Sequence, residues 1–328
     1  MSGKFKVAMI GAGGRANQVI YPAFASLPDV EIAAICDIDP IRLSQTADMY
    51  SVTMRYGKDV FDYQNMISDV KPDAVIAIGQ PNIFYDIWQW TLKNGYNLMI
   101  EKPFGLSAHQ ARSLTWLAGQ MNLTTQVSFQ RRITPMVVKL RDECLKRGPI
   151  VHAVCEFYKS MITPYIDARD HMMDDCVHAI DTLRWICGGE VVKIDSYVKR
   201  VMTPDINFIS ATLHFDNGAT GFLINSWSSG KRIFSVEMHA PNIYVEAEHE
   251  GKAYVYTDGN LEPQVYDTAE VAESEEFHVF TGVQAKARAF VDACKTGGQP
   301  DSCFEDALKT MLIAEKILAQ GLLSEVDM

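Results

Sequence analysis

Two acidic residues and a histidine in the second half of the chain are spaced for proton-transfer chemistry. His178 follows Asp174 by four residues and precedes Asp181 by three, and Trp185 continues the spacing. If the segment is helical, all four side chains lie along one face, with Asp174 at its start. A carboxylate one turn from an imidazole can hold the ring and stabilise its protonated form, as a general base requires. The alternative is a polar helix face with a hydrogen-bonded, non-catalytic histidine.

A metal site is the other chemistry that this segment could serve. The residues that can ligate a metal are Asp170, His171, Asp174, Asp175 and His178. No third imidazole and no cysteine cluster completes a zinc pattern. We therefore predict that the segment holds no metal.

A glycine-rich segment near the N-terminus predicts a second functional site. An apolar run from Phe5 to Ile10 leads into Gly11, Gly13 and Ala16, which have the spacing G-x-G-x-x-A. The first glycine permits a tight turn, the second lets the backbone approach a pyrophosphate, and the alanine lets the next helix pack on the strand. The free N–H groups at the start of that helix would face phosphate. The pattern predicts a dinucleotide site.

Asp37 follows a second apolar run, from Val30 to Cys36, and predicts which dinucleotide binds. Its carboxylate can accept hydrogen bonds from both hydroxyls of the adenosine ribose, but it repels a 2′-phosphate. We therefore predict NAD rather than NADP as the cofactor. In the glycine-rich segment we also expect Gly14 to contact the cofactor, and Arg15 either reaches the phosphates or faces solvent.

Two turns follow the carboxyl ends of predicted strands, where open α/β sheets bind their ligands. The first is Gly79-Gln80-Pro81-Asn82, after the strand at 73–78, and the second is Glu101-Lys102-Pro103-Phe104, after the strand at 97–100. The residues that we expect to contact the cofactor here are Gln80, Pro81, Asn82, Glu101 and Lys102.

Lys102 is the second candidate catalytic residue. Pro103 favours extended backbone before it, so the Lys102 ammonium would point towards the nicotinamide end of the cofactor; a surface lysine is the alternative. A lysine near pKa 10.4 needs a shift of about three units, roughly 4 kcal/mol, to act as a base at neutral pH, whereas a histidine near 6.5 needs almost none. We therefore predict His178 as the proton acceptor and Lys102 as the cation that orients the reacting oxygen.

The order of elements predicts an α/β fold with two domains. Residues 1–125 alternate strands with helices, which is typical of parallel βαβ units and a Rossmann dinucleotide-binding domain. The elements predicted in residues 126–328 are helices at 135–147, 175–187, 278–295 and 304–320 and strands at 151–158, 191–201, 208–215, 219–227, 233–239 and 243–247. Asn217-Gly218 indicates a hairpin. We predict a substrate-binding α+β domain with a large, mostly antiparallel, open sheet.

Composition limits the classes of partner. The 328 residues are 48% hydrophobic, and their net charge of -11 disfavours nucleic acid and anionic membranes as partners. The seven cysteines include no C-x-x-C pair, and no apolar run is long enough for a signal peptide or a membrane span. We expect a cytoplasmic protein with reduced thiols and a small-molecule substrate.

Four motifs together resemble the Gfo/Idh/MocA oxidoreductases, and the likeness covers essentially the whole chain. They are Gly11-Ala12-Gly13-Gly14 with Cys36-Asp37-Ile38-Asp39, Glu101-Lys102-Pro103, Phe129-Gln130-Arg131-Arg132-Ile133-Thr134-Pro135, and Asp174-Asp175-Cys176-Val177-His178-Ala179-Ile180-Asp181. The resemblance implies hydride transfer between a nicotinamide and a carbon that bears a hydroxyl, usually on a sugar or cyclitol. It also implies that Lys102, Asp174 and His178 are catalytic, and that the second domain's sheet forms a homodimer or homotetramer.

The chain departs from the family pattern near the expected substrate. The family commonly has T-P-x-x-x-H where this chain has Gln80-Pro81-Asn82-Ile83-Phe84-Tyr85, and Cys176 and His171-Met172-Met173 replace glycines around Asp174. These bulkier residues predict a reshaped substrate pocket. The candidate substrate contacts are Tyr85, Arg132 and Asp181. For Arg132 the alternative is a salt bridge between the domains.

The combined prediction is an NAD-dependent oxidoreductase acting on a secondary hydroxyl or ketone of a sugar, sugar derivative or cyclitol. Two alternatives stay open. One is a glycosidase or lyase of the same fold that retains NAD and uses transient oxidation. The other is a non-catalytic NAD-binding regulator, which the presence of both Lys102 and His178 disfavours.

Overall fold

The computed structural model describes residues 3–165 and 170–323. Residues 3–127 contain a six-stranded parallel sheet. The strands are β1 (Phe5–Ile10), β2 (Val30–Cys36), β3 (Met54–Tyr56), β4 (Ala74–Ala77), β5 (Asn97–Ile100) and β6 (Thr125–Val127). Their order is β3-β2-β1-β4-β5-β6, and every neighbouring pair is parallel. The predicted Rossmann arrangement is confirmed, and such sheets bind ligands beyond the carboxyl ends of their strands.

Helices connect these strands and begin directly after the loops at the strand ends. They are α1 (Tyr21–Ala25), which continues a π-helical turn at Ala16–Ile20, α2 (Pro40–Met49), α3 (Asp62–Val70), α4 (Pro81–Lys93) and α5 (Ala108–Gln120). Side-chain oxygens cap two of them: Asp39 accepts hydrogen bonds at the start of α2, and Ser107 accepts one from the Gln110 N–H at the start of α5. Such caps fix where a helix begins.

The second sheet is larger and mostly antiparallel, as predicted. After a 3₁₀ turn at Gln130–Ile133 and α6 (Pro135–Arg147), the strands are β7 (His152–Ser160), β8 (Val191–Lys199), β9 (Phe208–Phe215), β10 (Thr220–Ser226), β11 (Ser228–Ala240), β12 (Ile243–Glu248), β13 (Lys252–Thr257) and β14 (Gln264–Asp267). Their order is β14-β13-β12-β11-β7-β10-β9-β8. Strand β10 pairs parallel to β7 and antiparallel to β9 across the predicted Asn217-Gly218 hairpin.

The remaining helices pack around the two sheets. They are α7 (Val177–Cys187), preceded by a π-helical turn at Met172–Cys176, then α8 (Thr268–Val271), α9 (Phe277–Phe280), α10 (Val283–Thr296) and α11 (Phe304–Leu323). The prediction of one continuous helix at 278–295 is wrong, because the chain breaks at Gly282. This glycine has a φ of +83°, and a Cβ there would lie 2.8 Å from the backbone oxygen of Gln130. Only glycine fits that position without strain.

Helix α10 packs against the first sheet, although it follows the second in sequence. Phe290 and Val291 of α10 share a buried apolar cluster with Val7 and Met9 of β1. Helix α11 contacts β8 of the second sheet and also α5, which connects β5 and β6 of the first sheet. The division into domains at 1–125 and 126–328 therefore stays a prediction, and the C-terminal helices join the two sheets.

Among the helices of the described residues, none has the length and apolar character needed to cross a membrane.

Truncation of Phe290 tests the packing of α10. We expect Phe290→Ala to lower the free energy of unfolding by about 3–5 kcal/mol, because the ring is fully buried and its removal leaves a cavity. Phe61→Ala is the matched control, because Phe61 is 63% exposed, and its effect should stay within about 0.5 kcal/mol. Urea unfolding measures both variants. Equal losses of unfolding free energy in the two variants would contradict the packing of Phe290 against the first sheet.

Candidate active site

The glycine-rich loop after β1 is shaped by one glycine and left open by two others. Gly11 has a φ of +98°, and a Cβ there would lie 2.1 Å from the backbone oxygen of Ile78, so glycine is required. A Cβ at Gly13 or Gly14 would meet no protein atom within 4 Å. The fold therefore does not itself require glycine at these two positions. Their lack of side chains leaves the backbone N–H groups accessible, which fits the close approach of a pyrophosphate.

The Asp37 carboxylate lies beside this loop, at the carboxyl end of β2. One oxygen accepts a hydrogen bond from the Ala12 N–H at 2.5 Å, and the other accepts one from the Asp39 N–H at 2.8 Å. A carboxylate has about four acceptor positions, so two remain for ligand hydroxyls. The geometry fits the adenosine ribose of a dinucleotide.

A pocket of about 520 Å³ lies between the carboxyl ends of the first sheet and one end of the second. The predicted site residues that line it are Arg15, Gln80, Glu101, Lys102, Asp174 and His178. Glu101 is buried, and its Oε1 has no hydrogen-bond partner in the described residues, so it can accept a bond from a ligand. The predicted residues that do not line it are Gly11, Gly13, Gly14, Ala16, Asp37, Pro81, Asn82, Tyr85, Arg132 and Asp181.

Lys102 is held inside the pocket and is not a surface lysine. Its side chain is 17% exposed, and its ammonium donates a hydrogen bond to the backbone oxygen of Asp174. Nζ lies 3.9 Å from Oδ1 of Asp174 and 3.6 Å from Oδ1 of Asp175. The turn after β5 therefore presents a cation to the pocket and anchors it on the π-helical turn before α7.

Asp175 is the buried centre of this charge cluster. Its Oδ2 lies 2.5 Å from Nζ of Lys159 on β7 and accepts a hydrogen bond from Nε1 of Trp227 at 3.2 Å. Burial alone would raise the pKa of Asp175, but Lys102 and Lys159 lower it to about 2. From the sequence, Asp175 could be recognised only as a possible metal ligand. Its position next to the candidate catalytic residue Asp174 is the feature that could have indicated a role in the site.

His178 lies in the pocket as a neutral imidazole. It is buried, and its Nδ1 has no hydrogen-bond partner among the described residues. Burial and then the nearby cations Arg131, Lys102 and Arg15 hold the pKa of His178 well below its usual value. The expected ordinary histidine pKa is therefore corrected: the ring is neutral at neutral pH, and its protonated form is disfavoured.

Asp174 does not hold the His178 ring, contrary to the spacing argument. Its Oδ2 accepts a hydrogen bond from the Tyr165 hydroxyl at 3.2 Å, and its Oδ1 faces Lys102. The physical reason lies in the backbone, because Met172–Cys176 forms a wide π-helical turn. The α-helical rule that aligns residues four apart does not apply across that turn.

Arg132 and Asp181 belong to a buried ion-pair network outside the pocket. Nε of Arg132 lies 3.2 Å from Oδ2 of Asp181, and its Nη2 lies 2.6 Å from Oδ2 of Asp306 on α11. Arg184 of α7 approaches the same Asp306 at 2.9 Å. This geometry favours a salt bridge over a substrate contact for Arg132, but its partners all lie within residues 126–328, so the network does not join the two predicted domains. Tyr85 lies on α4 and packs partly against the core.

No group of three or more histidine, cysteine, aspartate or glutamate side chains in the described part of the chain is arranged to hold a metal ion. The seven cysteines are all free.

Several pocket residues were not identified from the sequence. They are Gln18, Gln130, Arg131, Phe157, Lys159, Arg232, His249, Glu250, Phe277 and Thr281. Strand pairing brings some of them together, because Phe157 of β7 lies opposite Phe234 of β11. Lys159 lies two residues after Phe157 on β7, and Arg232 lies two residues before Phe234 on β11. Only the register of two strands far apart in sequence reveals this cluster.

Comparison with known protein families identifies two segments of the chain. Residues 5–129 match the model of an oxidoreductase family with an NAD-binding Rossmann fold, and residues 148–242 match the GFO/IDH/MocA C-terminal domain. The rhizopine catabolism protein MocA of Rhizobium meliloti is 26% identical, over 95% of this chain and 93% of its own length. D-glucoside 3-dehydrogenase of Escherichia coli strain K12 is 24% identical, over 83% of this chain and 84% of its own.

A solved levoglucosan dehydrogenase, in complex with NADH and levoglucosan, has a similar fold. It superposes with a TM-score of 0.83 at 17% sequence identity, and the match covers 98% of each chain.

Replacement of Arg132 separates its two interpretations. We expect Arg132→Met to lower the free energy of unfolding by about 3–5 kcal/mol, because it leaves the buried Asp181 short of a cation. Urea unfolding measures this, and Arg42→Met is a control because Arg42 pairs only near the surface. Normal stability combined with weaker substrate binding would instead identify Arg132 as a substrate contact.

Proposed function

Because the chain belongs to the Gfo/Idh/MocA family of oxidoreductases, which act on CH–OH groups, we propose that it is an NAD-dependent dehydrogenase of a sugar, sugar derivative or cyclitol. The observation that carries the proposal is that Lys102 and His178 line one pocket together with the loops at the carboxyl ends of β4 and β5. D-glucoside 3-dehydrogenase, a relative over most of its length, supports a carbohydrate substrate.

The residues present fit a nicotinamide dinucleotide. Asp37 and the open backbone at Gly13 and Gly14 would hold its adenosine and pyrophosphate, and the unpartnered Oε1 of Glu101 can accept a hydrogen bond near its other end. The cofactor, when bound, accepts or donates the hydride.

In the oxidative direction His178 accepts the proton of the substrate hydroxyl. The neutral imidazole is ready to act as a base at neutral pH, because burial and surrounding cations disfavour its protonated form. The same cations make the protonated ring more acidic than an ordinary imidazolium, so it gives its proton up readily. His178 therefore accepts the substrate proton, and its low pKa returns the ring to the neutral form before the next turnover.

Lys102 stabilises the negative charge that develops on the substrate oxygen. A cation that is already held in place is effective here, because it needs no reorganisation during the reaction. Asp174 and Asp175 position the ammonium through the contacts at 3.9 Å and 3.6 Å. We therefore assign Asp174 a positioning role towards Lys102 in place of the predicted role towards His178.

The acidic residue after β2 supports NAD over NADP. The Asp37 carboxylate is fixed by the N–H groups of Ala12 and Asp39, so it cannot turn away from a ligand bound at the loop. A 2′-phosphate there would meet a like charge.

The exposed face of the second sheet supports assembly as a homodimer or homotetramer. Helices α7 and α11 cover one face of this sheet. The other face carries partly exposed aromatic side chains, among them Tyr197 at 42% and Phe222 at 38% exposure. A second copy of the chain that covers this face would bury them.

A substrate screen tests the proposed activity. We expect NADH formation, followed by its absorbance, with one or more sugars or cyclitols. His178→Gln should lower kcat by a factor of about 10² to 10⁴ with little change in NADH affinity, because the proton acceptor is lost. His109→Gln is the control, since His109 is exposed on α5. Substrate cleavage without net NADH would favour the glycosidase or lyase, and normal turnover in His178→Gln would exclude this base.

The pH profile of the same assay tests the state of His178. The folded-state pKa of His178 lies below the ordinary value, so the required neutral form persists as the pH falls through 6.5. We expect the acid limb of kcat/KM for oxidation to lie clearly below pH 6.5. A midpoint at 6.5 or above, absent from His178→Gln, would contradict the buried neutral ring.

Replacement of Asp37 tests cofactor choice. We expect wild-type protein to bind NADH more tightly than NADPH, and Asp37→Asn to reduce that ratio about tenfold or more, because the like charge facing a 2′-phosphate is removed. Asp142→Asn is the control, since Asp142 is exposed on α6. Fluorescence titration gives both dissociation constants. Tighter binding of NADPH by the wild type would refute the assignment.

A further inference from the structure

Arg131 is a buried cation with no carboxylate of the described residues within salt-bridge distance. The residue is 6% exposed, and its Nε and Nη1 donate no hydrogen bond to any described residue. Its guanidinium also forms no salt bridge within the described chain. An arginine side chain is rarely buried without an acceptor, because the lost hydration of each N–H group must be replaced.

Two aromatic rings contact the Arg131 guanidinium, but they provide no hydrogen-bond acceptor for its N–H groups. Its central carbon lies 3.9 Å from the ring centre of Phe234 and 5.1 Å from that of Phe157. Such contacts attract a cation and offset part of the desolvation cost, but they offer the N–H groups no oxygen. Burial lowers the pKa of Arg131 to about 10, so the group is still a cation at neutral pH.

Each of the other cations that line the pocket has a carboxylate partner. The pairs are Arg15 with Glu101 at 3.9 Å, Lys102 with Asp174 at 3.9 Å, Lys159 with Asp175 at 2.5 Å, and Arg232 with Glu250 at 3.2 Å. Arg131 lines the same pocket as the proposed catalytic Lys102 and His178. The charge of the lining is therefore balanced except for one guanidinium at the end formed by the second sheet.

We propose that Arg131 binds a carboxylate carried by the substrate, so that the substrate is an acidic sugar or polyol, such as a uronic or aldonic acid. The proposal rests on the proposed dehydrogenase function and narrows its substrate class. A planar carboxylate matches the donor fork of a guanidinium. Its single charge balances the single unpaired cation, whereas a phosphate monoester brings almost two charges.

Matched substrate pairs test the proposal through activity. D-glucuronate is compared with D-glucose, and D-galacturonate with D-galactose, by kcat/KM with NAD. We expect the acid to be preferred about tenfold or more by the wild type, mainly through KM, because a charge-assisted hydrogen bond is formed. Arg131→Met should abolish this preference, and Arg131→Lys should retain part of it. Arg112→Met is the control, because Arg112 is an exposed arginine on α5.

Binding to the NADH complex tests the same point without turnover. Calorimetric titration of the four sugars into the NADH-loaded protein should give tighter binding of the acids, lost in Arg131→Met but kept in Arg112→Met. Thermal unfolding of each variant checks that it is folded. If Arg131→Met does not fold, the comparison is made with Arg131→Lys, which should show a reduced preference.

The outcomes separate the two proposals. Turnover of neutral sugars with no preference for acids in either assay would overturn the role of Arg131 and leave the dehydrogenase intact. Tighter, Arg131-dependent binding of acids without turnover of any substrate would support the carboxylate site and count against the dehydrogenase. An acid preference unchanged in Arg131→Met would also overturn the proposal.

Discussion

The contact of Lys102 with Asp174 and Asp175 is the interaction on which the pocket depends. Lys102 follows β5 of the first sheet, whereas the two aspartates belong to the turn that leads into α7 against the second sheet. Asp175 also binds Lys159 of β7 and the Trp227 indole. A buried carboxylate is stable only when cations and donors surround it. The groups that satisfy Asp175 therefore also bring the two sheets to a common edge and fix the proposed catalytic cation there.

Features that depend on neighbouring residues could be predicted from the sequence. Gly11 is needed because its backbone turns with a positive φ, and the glycine spacing records that local requirement. Ser107 caps α5 through the nearby Gln110 N–H. Lys102 could be placed in the pocket because a residue directly after a parallel strand lies at the ligand-binding edge of the sheet. Each of these inferences needs only a short stretch of chain.

Features that depend on backbone irregularity or long-range pairing could not be predicted in the same way. The π-helical turn at Met172–Cys176 separates Asp174 from His178, and four-residue spacing implies contact only in a regular α-helix. Lys159 and Arg232 line the same pocket, and their strands β7 and β11 pair with Tyr158 opposite Ile233. No local pattern contains that register. His178 lines the pocket, and its neutral state depends on burial and on cations from distant parts of the sequence.

Those cations connect recognition of the substrate to the strength of the base. After burial, the charge of Arg131 is the largest cause of the low pKa of His178, ahead of Lys102 and Arg15. A carboxylate bound to Arg131 would oppose that charge and so raise the pKa of the imidazole towards its ordinary value. His178 would then be a stronger proton acceptor with an acidic substrate in place than without one. A neutral sugar, which leaves the guanidinium uncompensated, would meet a weaker base in the same pocket, so discrimination would arise in the chemical step as well as in binding.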